Sequence, residues 1–424
     1  MGAQGYKAPR EVQMVRVLLV AALAVSACKK DDKTGDSGTL SVGNLDAVTT
    51  SDRPSKRSEI LAASHSETNS IMIFGGNEGP IVNQNSTGSF LGDTWVFEPA
   101  VGWFEATPSD SPKKRGRYAV SVDDDGNRAL LFGGRFRKSG TSGSYDLFDD
   151  LWEFDFVTRD WAKLDTGGGP SGRYYPASAW DSGSGTYYVW GGATNSDPLV
   201  IFPSQELWAW DGNAWSEIET SGDAPSDRVF FGNMYDPARN RLVIYAGQAG
   251  DFVSMAFTDM YGLNLDNGEW KQLHDGGQGA PSSRMHGALT YDESRDRYLL
   301  FGGHTDIGDM NDLWAFDPET NEWSKEYIAD KFKNTTLGCL DNPSEVPADY
   351  VKQDVEAPER RHRGLYAYAH DSVWVFAGIH AECSDYLDDT WRYDLATQTW
   401  VEIMEANSGE SCERRNDDCE CLCI

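Results

Sequence analysis

Apolar runs of strand length, separated by polar turns, recur along this chain in one fixed order. The order is clearest in Arg117-Tyr118-Ala119-Val120-Ser121-Val122, a turn from Asp123 to Asn127, Arg128-Ala129-Leu130-Leu131-Phe132-Gly133-Gly134, a longer loop, Asp150-Leu151-Trp152-Glu153-Phe154-Asp155, and Trp161-Ala162-Lys163-Leu164. Asn, Asp and Gly in the first turn tolerate left-handed backbone angles, which is hairpin chemistry. Each copy therefore predicts four strands.

Glycine doublets count the copies. Gly75-Gly76, Gly133-Gly134, Gly191-Gly192 and Gly302-Gly303 are joined by the degenerate Ala246-Gly247 and Ala377-Gly378, and the second glycines are 58, 58, 55, 56 and 75 residues apart. Trp103, Trp161, Trp215, Trp270, Trp323 and Trp400 keep step with them. A four-stranded sheet of this size cannot bury both faces alone, so six copies predict radial stacking into an all-β, six-bladed propeller of four-stranded antiparallel blades. It spans residues 56–405, with an insertion at about 328–358 before the last blade. Because each copy holds its strands in continuous order, the ring is expected to close without a shared blade, residues 39–50 being the competing source of an extra outer strand.

The doublets, the Asp-aromatic third strands and the tryptophans together resemble the Kelch family of β-propellers over roughly residues 57–404. A WD40 reading fails because no Gly-His to Trp-Asp pair recurs and the repeat is longer. The resemblance implies that the loops leading into each first strand and those after each doublet open on one face, around a central channel.

The amino terminus changes the picture of where such a propeller works. Apolar residues Val17 to Ala24 lead to Val25-Ser26-Ala27-Cys28, which looks like a bacterial lipobox. Residues 1–27 then read as a lipoprotein signal peptide, Cys28 as the lipidated residue, and the polar stretch through residue 55 as a flexible tether. The expected location is the cell envelope, outside the cytoplasm and lipid-anchored, at the outer membrane or cell surface. The body carries no apolar run long enough to span a bilayer.

With 37 Lys and Arg against 67 Asp and Glu, the formal net charge is −30, which repels phosphate and argues against nucleic acid as a partner. Six cysteines remain after Cys28. Cys339 lies in the insertion and Cys383 in the last doublet loop, while Cys412, Cys419, Cys421 and Cys423 crowd an acidic tail at 406–424. An even number in an oxidising compartment favours disulfides, and Cys-x-Cys-x-Cys lacks the gaps of a paired zinc knuckle.

Arg57, Arg117, Arg173, Arg228, Arg284 and Arg363 lead into the six blades and form a candidate ring of guanidinium groups on the ligand face. The functional reading is an anion or carboxylate receptor. The structural reading, favoured by six matching acids, pairs these arginines with Asp93, Asp150, Glu206, Asp259, Asp312 and Asp389. The first three doublet loops, about residues 77–91, 135–149 and 193–206, are long and carry Phe90, Phe136, Tyr145 and Phe148, as recognition loops on a rigid scaffold do.

Four histidines, His286, His304, His362 and His380, fall on the ligand face of blades five and six at positions that look equivalent, with Asp306, Asp309, Glu382 and Asp385 in the same loops. A divalent transition metal on His304, His380, Asp306 and Glu382 is the sharper reading, and hydrogen bonding at the mouth the favoured one. The Glu-x-x-x-Asp-x-x-x-His run of the iron-binding Kelch specifier proteins is absent.

Catalysis has less support than binding. Galactose oxidase, a Kelch-type enzyme, needs a tyrosine crosslinked to cysteine, yet no cysteine lies between Cys28 and Cys339. No nucleophile elbow, zinc-protease helix or phosphate loop appears. The sequence thus supports a monomeric, membrane-anchored binding scaffold that presents a propeller face to a protein or glycan and needs no cofactor. The alternative is a carbohydrate-active enzyme of sugar mutarotase or isomerase type at the channel mouth.

Overall fold

The apolar runs pair as their pattern predicts. The computed structural model describes residues 52–405 other than 80, 83–84, 87–88, 139–142, 198–200, 252–254, 307, 329–356 and 381–384. The signal peptide, Cys28, most of the tether, residues 39–50, nearly all of the insertion with Cys339, Glu382, Cys383 and the cysteine-rich tail lie outside the described residues.

Six four-stranded antiparallel sheets follow one another in chain order. Blade one is built from Ala62–His65, Ser70–Asn77, Phe90–Glu98 and Gly102–Ala106, and blade six from Leu365–Ala369, Ser372–Phe376, Thr390–Asp394 and Thr399–Met404. No blade borrows its four strands from the other end of the chain. Blade four gains a fifth, two-residue edge strand, Ser221–Gly222, parallel to Glu269–His274.

The marching tryptophans are the joints between blades. Trp161 meets Phe74, Trp215 meets Phe132, Trp270 meets Trp190, Trp323 meets Tyr245 and Trp400 meets Phe301, with ring centroids 5.1–5.4 Å apart. In each pair a fourth-strand tryptophan covers the aromatic residue that immediately precedes the doublet of the preceding blade. Ring closure repeats the contact: Trp103 of blade one lies 4.7 Å from Phe376 of blade six, and its indole donates to Thr390 Oγ1 at 3.0 Å. Apolar packing therefore closes the ring, with Ile71, Ile73 and Phe97 set against Leu365 and Trp374. Burying a side chain of this size contributes about 1.5–3 kcal/mol.

The doublets bring backbones together at the channel. Second-position φ values run from 81° to 111°, and a Cβ on Gly76 would stand 2.7 Å from the Ser58 carbonyl oxygen. First-position angles of 56° and 59° are accepted by Ala246 and Ala377. That is why the degenerate copies lose only their first glycine.

Candidate functional site at the channel mouth

One arginine ahead of each blade ties the second strand to the third. Arg57, Arg115, Arg173, Arg228, Arg284 and Arg361 are buried, and each donates Nη1 to the carbonyl of the first doublet residue. Their guanidinium groups also bind Asp93, Asp150, Glu206, Asp259, Asp312 and Asp389. An aromatic residue two positions past each acid completes the unit in five blades, where Trp95, Trp152, Trp208, Trp314 and Trp391 donate their indole N–H to the same carboxylate.

Two positions differ from the sequence reading. The leading arginines of blades two and six are Arg115 and Arg361, not Arg117 and Arg363. The separation from the first doublet residue gives the reason: it is 18 residues in the first five blades and 16 in the sixth, so in blade two only Arg115 reaches the Gly133 carbonyl. Arg173, Arg228 and Arg284 are held in internal pairs, whereas Arg117 and Arg363 turn to the axis.

The residue two past each leading arginine forms an axial ring: Glu59, Arg117, Tyr175, Phe230, His286 and Arg363. All six have left-handed φ between 55° and 64°, a conformation such residues adopt only where surrounding structure imposes it. Here the backbone N–H groups of Arg117, Tyr175, His286 and Glu59 bond to carbonyls of Glu59, Arg117, Phe230 and Arg363 across adjacent blades at 2.7–3.2 Å. Glu59, Arg117, Tyr175, His286 and Arg363 of this ring line a cavity of about 110 Å³ together with Leu61, Phe231, Asn233 and Leu289.

Charge around the ring is uneven. Arg117 and Arg135 contact the fully buried Glu59 carboxylate at 2.6 and 3.1 Å. Burial would raise this acid, but Arg117, Arg135 and Arg363 outweigh it and hold the pKa at about 2. Three guanidinium groups thus surround one carboxylate on a strongly acidic protein. Arg117 also lies over Tyr175 at 4.4 Å, and Arg135 over Tyr145 at 3.9 Å.

A second tier consists of the residues just after each doublet, Asn77, Arg135, Ala193, Gln248, His304 and Ile379, bridged to Ser58, Gly116, Tyr174, Val229, Met285 and His362. The four histidines are therefore not equivalent. His286 belongs to the axial ring, His362 directly follows its leading arginine, and His304 follows the doublet. His380 lies in the short strand Ile379–His380, with its side chain outside the described set.

Three of the histidine rings lie in sequence, His286 stacked on His362 at 5.7 Å and His362 tilted against His304 at 5.1 Å. Arg363 Nε donates to His286 Nε2 at 3.1 Å. Burial keeps His286 well below its ordinary range and takes His362 to about 4, so both rings are neutral at pH 7. Asp309, which binds both His304 and His362, is the carboxylate brought to this cluster, while Asp306 is exposed.

Described residues of the long loops of blades one to three contact one another. Phe90 packs on Phe136 and Tyr145 at 5.7 and 6.4 Å, and the Tyr145 N–H donates to the Ser196 carbonyl at 2.8 Å. Phe148 instead stacks beneath Arg115 at 3.8 Å.

The repeated blades agree with the Kelch-repeat match that sequence comparison finds. A family model described as the KLHDC2/KLHL20/DRC7 Kelch-repeats domain matches residues 39–211 and 180–334. The chain belongs to the Kelch-repeat family. It is 25% identical over 306 residues to human Kelch domain-containing protein 10, covering 69% of this chain and 60% of that protein. It is 26% identical over 257 residues to bovine Kelch domain-containing protein 2, covering 55% and 60% respectively. The leucine-zipper-like transcriptional regulator 1 homolog of Drosophila melanogaster is 25% identical over 309 residues, with 70% of this chain and 27% of that protein covered. This Kelch chain spans about 60% of the length of the first two relatives. Kelch propellers are in general protein-interaction scaffolds.

Proposed function

We propose that this Kelch propeller is a lipid-anchored scaffold outside the cytoplasm, and that its channel mouth binds a protein partner by an acidic side chain or terminus. The observation that carries the reading is the group of Arg117, Arg135 and Arg363 around Glu59, a local cluster of cationic charge on an otherwise acidic chain. A guanidinium fork in a partly desolvated mouth favours a carboxylate, and half-buried Arg363, Tyr175 and His286 leave it approachable. The cavity beneath the ring is smaller than the roughly 300–1,000 Å³ clefts that enclose whole small-molecule ligands, which favours insertion of one group over turnover of a sugar.

Arg363→Ala tests the mouth. Capture of the partner from native membranes by the full-length protein should fall about tenfold or more, as when a hot-spot arginine is truncated. Arg159→Ala, whose exposed side chain pairs with Glu98 away from the axis, should leave capture unchanged. Equal capture by the Arg363 variant and the parent would sink the reading. The anchor rests on Val25-Ser26-Ala27-Cys28 and has its own test. Cys28→Ser should move the protein from the detergent phase to the aqueous phase, and a variant as membrane-bound as the parent would refute lipidation.

A further inference from the structure

We infer that His304, Asp309 and His362 bind a divalent transition-metal ion at the junction of blades five and six, with one coordination position open to the channel mouth. The three donors come from separate backbone segments, each held in place. His304 and Asp309 are cross-strand partners where Arg297–Thr305 pairs with Gly308–Asp317, and His362 is bridged to Ile379 behind its leading arginine. Their donor atoms all lie within 4.8 Å of one another.

Asp309 Oδ1 stands 2.7 Å from His304 Nδ1 and 2.9 Å from His362 Nδ1. Both imidazole nitrogens thus converge on one carboxylate oxygen, and Asp309 and His362 are buried. Two imidazoles and a carboxylate from three positions, with their donor atoms turned to one point, form the mixed nitrogen–oxygen set that a transition metal takes. Ligand atoms around a tetrahedral ion with bonds of about 2.0–2.1 Å stand roughly 3.3 Å apart. Entry of an ion therefore needs each Nδ1–Oδ1 contact to open by about half an ångström, and the proton that each neutral imidazole holds on Nδ1 to move to Nε2 so that Nδ1 offers its lone pair.

Two imidazoles and one carboxylate suit zinc or cobalt and not calcium or magnesium, which demand oxygen ligands. Burial closes the site on the Asp309 and His362 sides, and His304, 24% exposed, marks the side open to the mouth. Arg363 opposes a cation here, but its Nε is directed to His286, one ring removed from the donors. Asp309 supplies the compensating negative charge.

The test uses the full-length chain without an affinity tag, its cysteines alkylated so that no thiolate competes, titrated with Co²⁺ and then Zn²⁺. One Co²⁺ per chain should bind with visible d–d bands and no sulfur-to-metal charge transfer, and Zn²⁺ should displace it. Affinity should fall by at least about tenfold in both His304→Ala and His362→Ala, and stay within about twofold in Asp306→Asn. Circular dichroism confirms that each variant is folded, and His304→Gln replaces any variant that is not. A folded parent that takes up no stoichiometric Co²⁺ overturns the inference, as does undiminished binding in the histidine variants.

Discussion

Replacing Glu59 by glutamine is expected to destabilise the propeller by about 3–5 kcal/mol at pH 7, because the isostere leaves buried arginine charge without its counter-ion. Glu59 is fully buried, and both Arg117 and Arg135 take their contact from its Oε1, so loss of that charge leaves two buried guanidinium groups facing a neutral amide. The pH dependence has a definite sign. The folded-state pKa of about 2 lies below the ordinary carboxylate value, so the stabilisation is complete above about pH 4.5 and is lost as pH falls towards 2. Urea unfolding of parent and variant should show a large gap at pH 7 that narrows through this window. A gap that stays constant, or widens on acidification, contradicts the assignment of Glu59 as the ionised centre of the axial ring.

The six arginine–acid pairs should not contribute alike, although they repeat. Asp389 is 1% exposed and takes a two-pronged grip from the fully buried Arg361, at 2.5 and 2.7 Å. Asp389→Ala should cost about 3–5 kcal/mol. Glu206 is 43% exposed and receives a single contact from Arg173 at 2.7 Å, so Glu206→Ala should cost roughly 1 kcal/mol. Thermal unfolding of the two variants measures the difference directly. Equal losses would mean that these pairs act through repeat geometry and not through desolvation.

What the sequence made legible is what the repeat enforces locally. Strand lengths, the doublets and the tryptophans recur because every blade must make the same turn, the same close approach and the same packing contact. The Trp103–Phe376 contact completes that series and supports the expected closure without a shared blade. The axial ring was hidden for the opposite reason. Its six members share a backbone conformation but no side-chain type, so Glu59, Tyr175 and Phe230 leave no periodic mark. Arg117 and Arg363 stood out only by being mistaken for the leading arginines two residues before them. The same two-residue ambiguity made His362 and His286 look equivalent, and it obscured the meeting of His362 with Asp309. A constant 18-residue spacing to the first doublet residue was the available signal for Arg115, and the shortened sixth blade removed it for Arg361.

The central claim is that the channel mouth, and not the opposite end of the blades, engages a protein. Photo-crosslinking in intact cells measures this, with a photoreactive residue placed either at exposed Asp306 in the doublet loop of blade five or at exposed Asp125 in a first-to-second-strand turn at the other end. The account predicts a discrete protein adduct from position 306 that disappears when Arg363→Ala is added, and no adduct from position 125. An adduct from position 125 alone, or one from position 306 that survives the loss of Arg363, would contradict it.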